Sequence, residues 1–337
     1  MRARTAVIQA KRGIGDVIWH LPFVRAIASV SHGRQVVFLA PPTSHAADLL
    51  AAEPCVAETI YFEHGGSELR RGLNIVRLAR SMRQGRFETV WILDRTVRPA
   101  VAALMAGIPR RIGLGLGPQS LLITNAGVDC SFCDHPIDWL RALMAAMNVP
   151  LPSTEPNLPV ASDRLAAIGK RFNGCPRPWI VLGLGASHAS REWPEPYWAE
   201  LLDSLPRLTD GTIFLIGGNA YTPYAERLLA RAQAVQAVNA CSLEIAESLA
   251  LLHHADLFVG TDSGPMNMAA AVGTPTFGLF GVNPLLSYSK FIHPLTPDGG
   301  RGPDGMRRIS PTRVLDAVRP YLSACKGTPQ PDGRQAG

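Results

Sequence analysis

The fold of this chain is decided by residues Ala255–Gly281, which read ADLFVGTDSGPMNMAAAVGTPTFGLFG. An apolar run is followed by a small-residue turn, a short helical segment and a second apolar run, which is the order strand, helix, strand. Pro265 suits the first turn of such a helix, and Gly273 suits the position just after its end. Because the apolar runs are almost continuous, the stretch predicts a parallel sheet that is covered on both faces.

The same alternation of apolar runs, polar turns and helical stretches extends along the rest of the chain. Further strands are predicted near 6–10, 35–40, 89–93, 179–187 and 212–218. A proline-rich stretch at 148–178 is where we place the domain linker. The pattern predicts an α/β fold in which two Rossmann-like, doubly wound domains, 1–155 and 156–325, face each other across a cleft. A disordered tail is expected at 326–337.

The composition is that of a compact globular protein. Of 337 residues, 47% are hydrophobic and 18% are charged, which excludes a largely disordered, collagen-like or coiled-coil chain. The net charge of +6 is carried mainly by arginine, which suits carboxylates and phosphates, although a preference for arginine codons also explains the excess. With no membrane-spanning run and no signal peptide in the sequence, we expect a cytoplasmic protein.

The cysteines indicate neither a disulfide framework nor a metal site. Six cysteines without a secretory segment are expected to be reduced thiols. Cys130 and Cys133 form a CxxC pair with His135 just beyond, but no second pair completes a zinc site. We therefore expect no metal and no cofactor, and the role of the pair stays open.

A first candidate motif, KRGIGD at 11–16, follows the first predicted strand and opens a helix. Its two glycines let the backbone approach a ligand closely. Asp16 is interpreted either as an ordinary helix cap or as a general base. The motif lacks the third glycine and the downstream acid of a dinucleotide fingerprint, which argues against a dinucleotide-dependent oxidoreductase.

Two further motifs favour an anionic ligand in the second half of the chain. In GTDSGPMN at 260–267, free N–H groups and a serine hydroxyl at a helix start suit a phosphate, although Asp262 and Ser263 could be caps only. In GLGASH at 183–188, a small-residue turn suits a nucleotide, and Arg191 could clamp its diphosphate. The alternative is that His188 is an ordinary polar surface residue.

A basic stretch, LRRGLNIVRLARSMR at 69–83, carries Arg77, Arg80 and Arg83 at helical spacing. Such spacing usually marks a solvated face. It also suits contact with an anionic acceptor or a membrane surface, and both interpretations stay open. Nucleic acid is not expected as a partner because no aromatic residues interleave with the basic ones.

Three stretches of the sequence together resemble glycosyltransferase family 9, the ADP-heptose:lipopolysaccharide heptosyltransferases. They are GIGDVIWHLPFVRAI at 13–27, SREWPEPYWAELL at 190–202 and GTDSGPMNMAAAVGTPTFGLFG at 260–281. The resemblance covers nearly the whole chain and implies a GT-B fold. It also implies that 1–155 binds the acceptor, that 156–325 binds the nucleotide sugar, and that the final helix can pack back on the first domain.

The resemblance implies an inverting, metal-independent transfer of heptose with Asp16 as the general base. The donor would be ADP-L-glycero-D-manno-heptose and the acceptor the Kdo or heptose of a lipopolysaccharide core, with peripheral contact at the inner face of the inner membrane. The expected donor-binding residues are Gly185, Ser187, His188, Arg191, Asp262, Ser263, Gly264 and Asn267. The expected acceptor-binding residues are Lys11, Arg12, Gly15, Arg70 and Arg77.

Two positions depart from the family pattern. Asn267 stands where histidine is common, and Arg191 stands where many members have lysine, so both bear on sugar choice or rate. The alternatives are a transferase of the same family that uses another nucleotide sugar or a protein acceptor, and a non-catalytic relative that only binds a sugar nucleotide.

Overall fold

The computed structural model describes residues 4–63, 65, 67–129, 135–186, 188–232, 236–285 and 289–325. The chain divides into two compact units, Met1–Pro159 and Val160–Gly337, whereas the sequence placed the boundary after residue 155. Each unit contains one parallel sheet and its flanking helices, so the prediction of an α/β chain with two Rossmann-like domains is confirmed. The predicted tail at 326–337 lies outside the described residues.

The first unit is built on a five-stranded parallel sheet with the order β3-β2-β1-β4-β5. Its strands are β1 Arg4–Ile8, β2 Val36–Ala40, β3 Val56–Tyr61, β4 Phe87–Ile92 and β5 Arg110–Gly113. Its helices are α1 Ile14–Ser29, α2 Ala46–Leu49, α3 Glu68–Gly85, α4 Val97–Met105 and α5 Pro136–Ala146. The strand order turns back between β1 and β4, and in such sheets the crevice outside the carboxyl ends of those strands takes the ligand.

One buried carboxylate joins the carboxyl ends of β1 and β4. Asp94 is 6% exposed and accepts hydrogen bonds from the backbone N–H groups of Ala10 and Thr96, each at 2.7 Å. Gln119, which is fully buried, donates from its amide to the Asp94 carbonyl at 2.9 Å. A charge-assisted pair of backbone bonds of this kind fixes the path of the loop that leads from β1 into α1.

The second unit has a six-stranded parallel sheet with the order β11-β10-β9-β6-β7-β8. Its strands are β6 Trp179–Gly183, β7 Thr212–Ile216, β8 Ala237–Asn239, β9 Leu257–Thr261, β10 Thr276–Leu279 and β11 Ile292–Leu295. Its helices are α6 Ser162–Arg171, α7 Glu195–Ser204, α8 Thr222–Arg231, α9 Ile245–His254, α10 Gly264–Ala271 and α11 Pro311–Cys325. β6, β7 and β9 are buried along their whole length, as strands covered on both faces should be.

The final helix, α11, packs against α7 and β10 of the second unit. Its buried residues Val314, Val318 and Leu322 belong to the same core as Trp193 and Trp198. The indole N–H of Trp193 also donates to the Ile309 carbonyl at 2.8 Å, just before the helix begins. The contacts described for α11 are therefore with the second unit, which the sequence predicts to be the nucleotide-sugar domain.

Among the described residues, no helix combines the length and the apolar composition that crossing a bilayer requires.

The chain passes very close to itself where the loop before α11 meets the end of β10. A Cβ atom on Gly305 would lie 1.8 Å from the Gly281 carbonyl oxygen, and one on Gly281 would lie 2.3 Å from the Met306 nitrogen. The Gly302 N–H donates to the same Gly281 carbonyl at 2.9 Å. Only glycine allows two backbone segments to approach this closely.

We expect Gly305→Ala to lower the stability of the second unit because the added methyl group forces backbone atoms apart. Overpacking costs about 1–3 kcal/mol, which corresponds to roughly 3–10 °C in the midpoint of thermal unfolding of a domain this size. Calorimetry checks the shift. Gly302→Ala is the matched control, because its Cβ would meet only the end of the Arg308 side chain at 3.9 Å. Equal midpoints for the two variants would contradict the packing argument.

Candidate functional site

Asp16 lies in the first turn of α1, on the loop that leaves the carboxyl end of β1. The helix cap is Gly13, which is extended and makes no side-chain cap bond, so the interpretation of Asp16 as the cap is wrong. The Asp16 carboxylate is half-buried and pairs with the Lys11 ammonium at 3.3 Å. A Cβ atom on Gly13 would lie 2.9 Å from Asp16 Oδ2, so glycine there leaves room around the carboxylate.

His20 follows one helical turn after Asp16 and is 4% exposed. Burial lowers the pKa of His20 from 6.5 to about 4, and the nearby Lys11 ammonium also lowers it. The carboxylates of Asp16 and Asp94, together with a hydrogen bond to the Asp16 backbone, raise it in part. The imidazole is therefore neutral at pH 7, so a buried neutral ring lies on α1 one turn after the Asp16 carboxylate.

Gln9 is the residue after β1 and is fully buried. Neither polar atom of its side chain makes a hydrogen bond with the described residues. Neither Gln9 nor His20 nor Asp94 was predicted from the sequence as a site residue. The signal was there for two of them, because Gln9 and Asp94 are polar residues that directly follow buried apolar strands.

Two sets of arginines in the first unit have different surroundings. Arg71 and Arg98 line a small cavity with Asn74 and Gly65, and the Arg12 guanidinium reaches the same glycine, 2.5 Å from where its Cβ would be. The predicted acceptor residues Arg70 and Arg77 are exposed on α3 and are not among the residues that line this cavity. Arg71 and Arg98 were not predicted from the sequence, because only the packing of α3 against α4 brings them together.

In the second unit, the loops after β6 and β9 are joined by a buried hydroxyl. Thr261 is fully buried, and its Oγ1 donates to the Gly185 carbonyl at 2.8 Å. Arg191 Nη1 lies 3.8 Å from Asp262 Oδ2, and the Asn283 side chain donates to the same carboxylate oxygen. The structure thus brings together three of the predicted donor residues at the carboxyl edge of the sheet.

Ser263 occupies the cap position of α10 without making a cap bond. It is 8% exposed, and its Oγ makes no hydrogen bond with the described residues. Asn267 Nδ2 donates to the Ser263 carbonyl at 2.7 Å, and Gly264 is the first residue of the helix. A buried hydroxyl at the positive end of a helix dipole is well placed to donate to an anion.

Tyr221 holds both ends of the segment that carries Arg191. Its Oη accepts from the Ala186 N–H at 3.3 Å and lies 3.0 Å from Glu192 Oε1, to which it donates. Burial raises the pKa of Tyr221, which keeps the phenol protonated. The Tyr221 side chain also fills the space beside Gly185 and Gly217, where added Cβ atoms would lie 3.1 Å from its ring and 2.9 Å from its Cβ atom, respectively. Sequence analysis missed Tyr221, because no local pattern distinguishes it from other tyrosines.

The remaining predicted positions contribute less or cannot be described. The His188 ring accepts from the Ser190 N–H at 3.4 Å and thereby caps the short turn Ala189–Arg191. Ser187, Cys130 and Cys133 lie outside the described residues. Among the residues that the structure does describe, no group of three His, Cys, Asp or Glu side chains could hold a metal ion.

Comparison with known proteins points to one family. The model of glycosyltransferase family 9 (heptosyltransferase) matches residues 75–297. Lipopolysaccharide heptosyltransferase 2 of Salmonella typhimurium is 26% identical over 304 residues, which cover 82% of this chain and 86% of that protein. Lipopolysaccharide heptosyltransferase 1 of Pseudomonas aeruginosa is 27% identical over 202 residues, 59% of this chain and 52% of that protein.

Solved structures show the same fold. Escherichia coli ADP-heptose lipopolysaccharide heptosyltransferase II has a TM-score of 0.78 at 23% identity, over 96% of this chain and 100% of that chain. Escherichia coli heptosyltransferase WaaC with ADP-2-deoxy-2-fluoro heptose has a TM-score of 0.70 at 16% identity, over 94% and 99% of the two chains. The predicted GT-B fold, with two Rossmann-like domains, is thereby confirmed.

The buried His20 makes the stability of the first unit depend on pH. Between pH 6.5 and pH 4 the unfolded chain binds a proton that the folded chain does not, so stability falls as the pH is lowered through this window. The loss at pH 5 relative to pH 7 is about 1–2 kcal/mol. We expect His20→Gln to lack this loss of stability between pH 7 and pH 5, with the free energy of unfolding measured in urea at each pH. His32→Gln, which changes an exposed histidine of the same unit, should leave it intact. A parallel pH dependence in all three proteins would refute the assignment.

Proposed function

Because the chain belongs to glycosyltransferase family 9 and is therefore a glycosyltransferase, we propose that it moves heptose from ADP-L-glycero-D-manno-heptose to a lipopolysaccharide core. The acceptor group is the Kdo or heptose of that core. The relatives named lipopolysaccharide heptosyltransferase 2 support transfer of a heptose to lipopolysaccharide. The observation that carries the proposal is the buried Ser263 hydroxyl at the start of α10, which makes no hydrogen bond with the described residues and lies next to the Arg191 and Asp262 pair.

The proposed donor site is the edge of the second unit where the loops after β6 and β9 meet. Ser263 Oγ and the first N–H groups of α10 donate to the diphosphate, and Arg191 supplies positive charge. Asp262 is held by Arg191 and Asn283, so this carboxylate can accept a sugar hydroxyl while Arg191 screens it from the phosphates. Gly185 and His188 form the loop, and Asn267 holds the Ser263 carbonyl in place.

Catalysis is proposed to be inverting, with Asp16 as the general base. The acceptor hydroxyl oxygen forms a bond to the anomeric carbon while the bond from that carbon to the diphosphate oxygen breaks. The proton of the hydroxyl passes to Asp16, and ADP leaves with the electron pair. Arg191 and the positive end of α10 stabilise the charge that develops on ADP, so this scheme requires no metal ion.

The acceptor is proposed to bind to the first unit through positive charge. The segment that leads to Asp16 contains Lys11, Arg12 and Gly15. The basic surface continues along α3 with Arg70 and Arg77. Arg71 and Arg98 add a second basic cluster near Arg12. Core sugars with carboxylates and phosphates suit such a surface. A lipid-linked acceptor places the reaction at the inner face of the inner membrane, so peripheral contact is part of the proposal.

A transferase with a different nucleotide sugar is the second candidate, and Asn267 and Arg191 are the observation that favours it. Asn267 uses its side chain to hold the Ser263 carbonyl at 2.7 Å, where a histidine could supply a cation instead. A panel of nucleotide sugars separates the two candidates, with release of the nucleoside diphosphate of each donor as the readout. Faster release from a hexose donor than from ADP-heptose would decide for the second.

We expect Asp16→Asn to lower turnover by a factor of about 10²–10⁴, because the amide cannot accept the hydroxyl proton. The measurement is acceptor-dependent ADP release from ADP-heptose. The affinity for ADP should not change, since Asp16 lies outside the proposed donor site. Asp48→Asn, which neutralises an exposed carboxylate on α2, is the control and should keep full turnover. Undiminished turnover of Asp16→Asn would exclude Asp16 as the base.

We expect Ser263→Ala to weaken ADP binding about tenfold, the effect of losing a hydrogen bond to a charged group. The stability of the free protein should stay the same or rise, because the Ser263 hydroxyl makes no bond with the described residues. Calorimetric titration gives the affinity, and thermal unfolding without ADP gives the stability. Ser29→Ala removes a hydroxyl on α1 of the other unit and serves as the control. Unchanged ADP affinity in Ser263→Ala would contradict the donor site.

A further inference from the structure

Helix α3 has two faces, and only one of them packs into the core described for the first unit. Leu78, Ala79 and Met82 are buried in the core of the first unit. Five other residues, at spacings of four, three, four and three, form a second line along the helix. We call these residues, which are Leu69, Leu73, Val76, Arg80 and Arg83, the outer stripe.

Four of the five residues of the outer stripe are exposed and Val76 is half-buried, and the two ends of the stripe differ in chemistry. Leu69 is 78% exposed and Leu73 is 49% exposed, which is unusual for leucines on a helix whose opposite face already supplies the core. At the other end, Arg80 and Arg83 are exposed. A rise of 1.5 Å per residue puts the first and last residue of the stripe about 21 Å apart.

The apolar surface continues from the stripe onto the neighbouring helix. Arg83 Nη2 donates to the Met105 carbonyl at 2.8 Å, at the end of α4. Leu104 and Met105 are 48% and 45% exposed at that end. The arginine end of the stripe therefore also has exposed apolar neighbours, so leucine, methionine and arginine alternate over one surface.

The charge of α3 is almost entirely positive. The helix contains five arginines, Arg70, Arg71, Arg77, Arg80 and Arg83, and one acid, Glu68. Arginine stems lie along apolar surface while their guanidinium groups reach phosphates, so apolar and basic residues on one face suit the boundary between acyl chains and headgroups. An anionic lipid surface attracts each such arginine.

We infer that the outer stripe is the surface by which this protein lies on a bilayer that contains anionic lipids. Leu69 and Leu73 enter the headgroup boundary, and Arg80 and Arg83 contact lipid phosphates. The inference rests on the proposed function in one respect, since it identifies the surface for the peripheral contact proposed there. The stripe excludes Arg70 and Arg77, which belong to the proposed acceptor surface.

A second copy of the chain fits this surface less well. In a symmetric pair the same patch meets itself, so the arginines of one helix would find only the stripe of the other helix as a partner. With Glu68 as the only acid on α3, the helix offers little negative charge to balance them. An anionic bilayer satisfies the leucines and the arginines together.

The test measures binding of the full chain to vesicles by flotation at about 0.1 M salt. One set of vesicles contains phosphatidylcholine alone, and the other contains phosphatidylcholine with phosphatidylglycerol. We expect binding to the anionic vesicles only. The double variant Leu69→Ser, Leu73→Ser should bind at least tenfold more weakly. The double variant Arg80→Ser, Arg83→Ser should lose about fivefold for each arginine, whereas lysine at both positions should retain binding.

Matched controls on the same unit separate this surface from general effects. Leu121→Ser removes a leucine that is 87% exposed, and Arg110→Ser removes an exposed arginine at the start of β5. Both should bind anionic vesicles as the unchanged protein does. Thermal unfolding shows whether the stripe variants stay folded. The leucine variant should keep its midpoint because Leu69 and Leu73 are exposed, whereas the arginine variant should unfold at a slightly lower temperature because it loses the bond from Arg83 to the Met105 carbonyl.

Three results would overturn the inference. They are equal binding of the unchanged protein to both kinds of vesicle or to neither, equal binding of the leucine variant and its control, and a dimer in free solution that the leucine variant converts to monomer. Transfer to an acceptor dispersed in detergent is measured separately, and the leucine variant should keep that turnover. Vesicle binding without any transfer would refute only the proposed function, and transfer without vesicle binding would refute only the docking surface.

Discussion

Each half of this protein depends on a single buried side chain that joins two neighbouring strands where they end. In the first unit it is Asp94, whose carboxylate receives the N–H of Ala10 from the loop after β1. In the second it is Thr261 at the end of β9, whose hydroxyl donates to the Gly185 carbonyl in the loop after β6. Both bonds cross the position at which the strand order turns back, where parallel sheets take their ligands. The loops that carry Asp16 and Arg191 therefore start from fixed points.

Much of this arrangement could be predicted from the sequence, because the central strands are buried on both faces and their apolar runs are unmistakable. The four edge strands were not predicted, since incomplete burial leaves no clear apolar run in any of them; they are β3, β5, β8 and β11. The loops with Asp16 and Ser263 were found because glycines and acids interrupt apolar runs at strand ends. Tyr221 could not be found, because its role arises from contacts with Ala186 and Glu192, which tertiary packing alone brings to it.

Arginine serves several purposes in this chain, and its surroundings decide which. Arg191 lies beside the Asp262 carboxylate near a helix start, which suits a leaving diphosphate. Arg71 and Arg98 line one cavity, where two neighbouring positive charges attract an anion together. Arg80 lies exposed beside leucines of the same helix face, where its charge and its apolar stem both count. Net charge alone distinguishes none of these, and the packing of the neighbouring residues distinguishes them all.

The fully buried amide of Gln9 carries a consequence for how this protein can evolve. A buried polar group that makes no bond with the described residues costs about 1–3 kcal/mol, and a leucine of similar volume would recover that free energy. Selection for heat resistance alone would therefore replace Gln9 early. A lineage that retains glutamine there, one residue from the backbone N–H that Asp94 holds, keeps a less stable first unit than leucine would give.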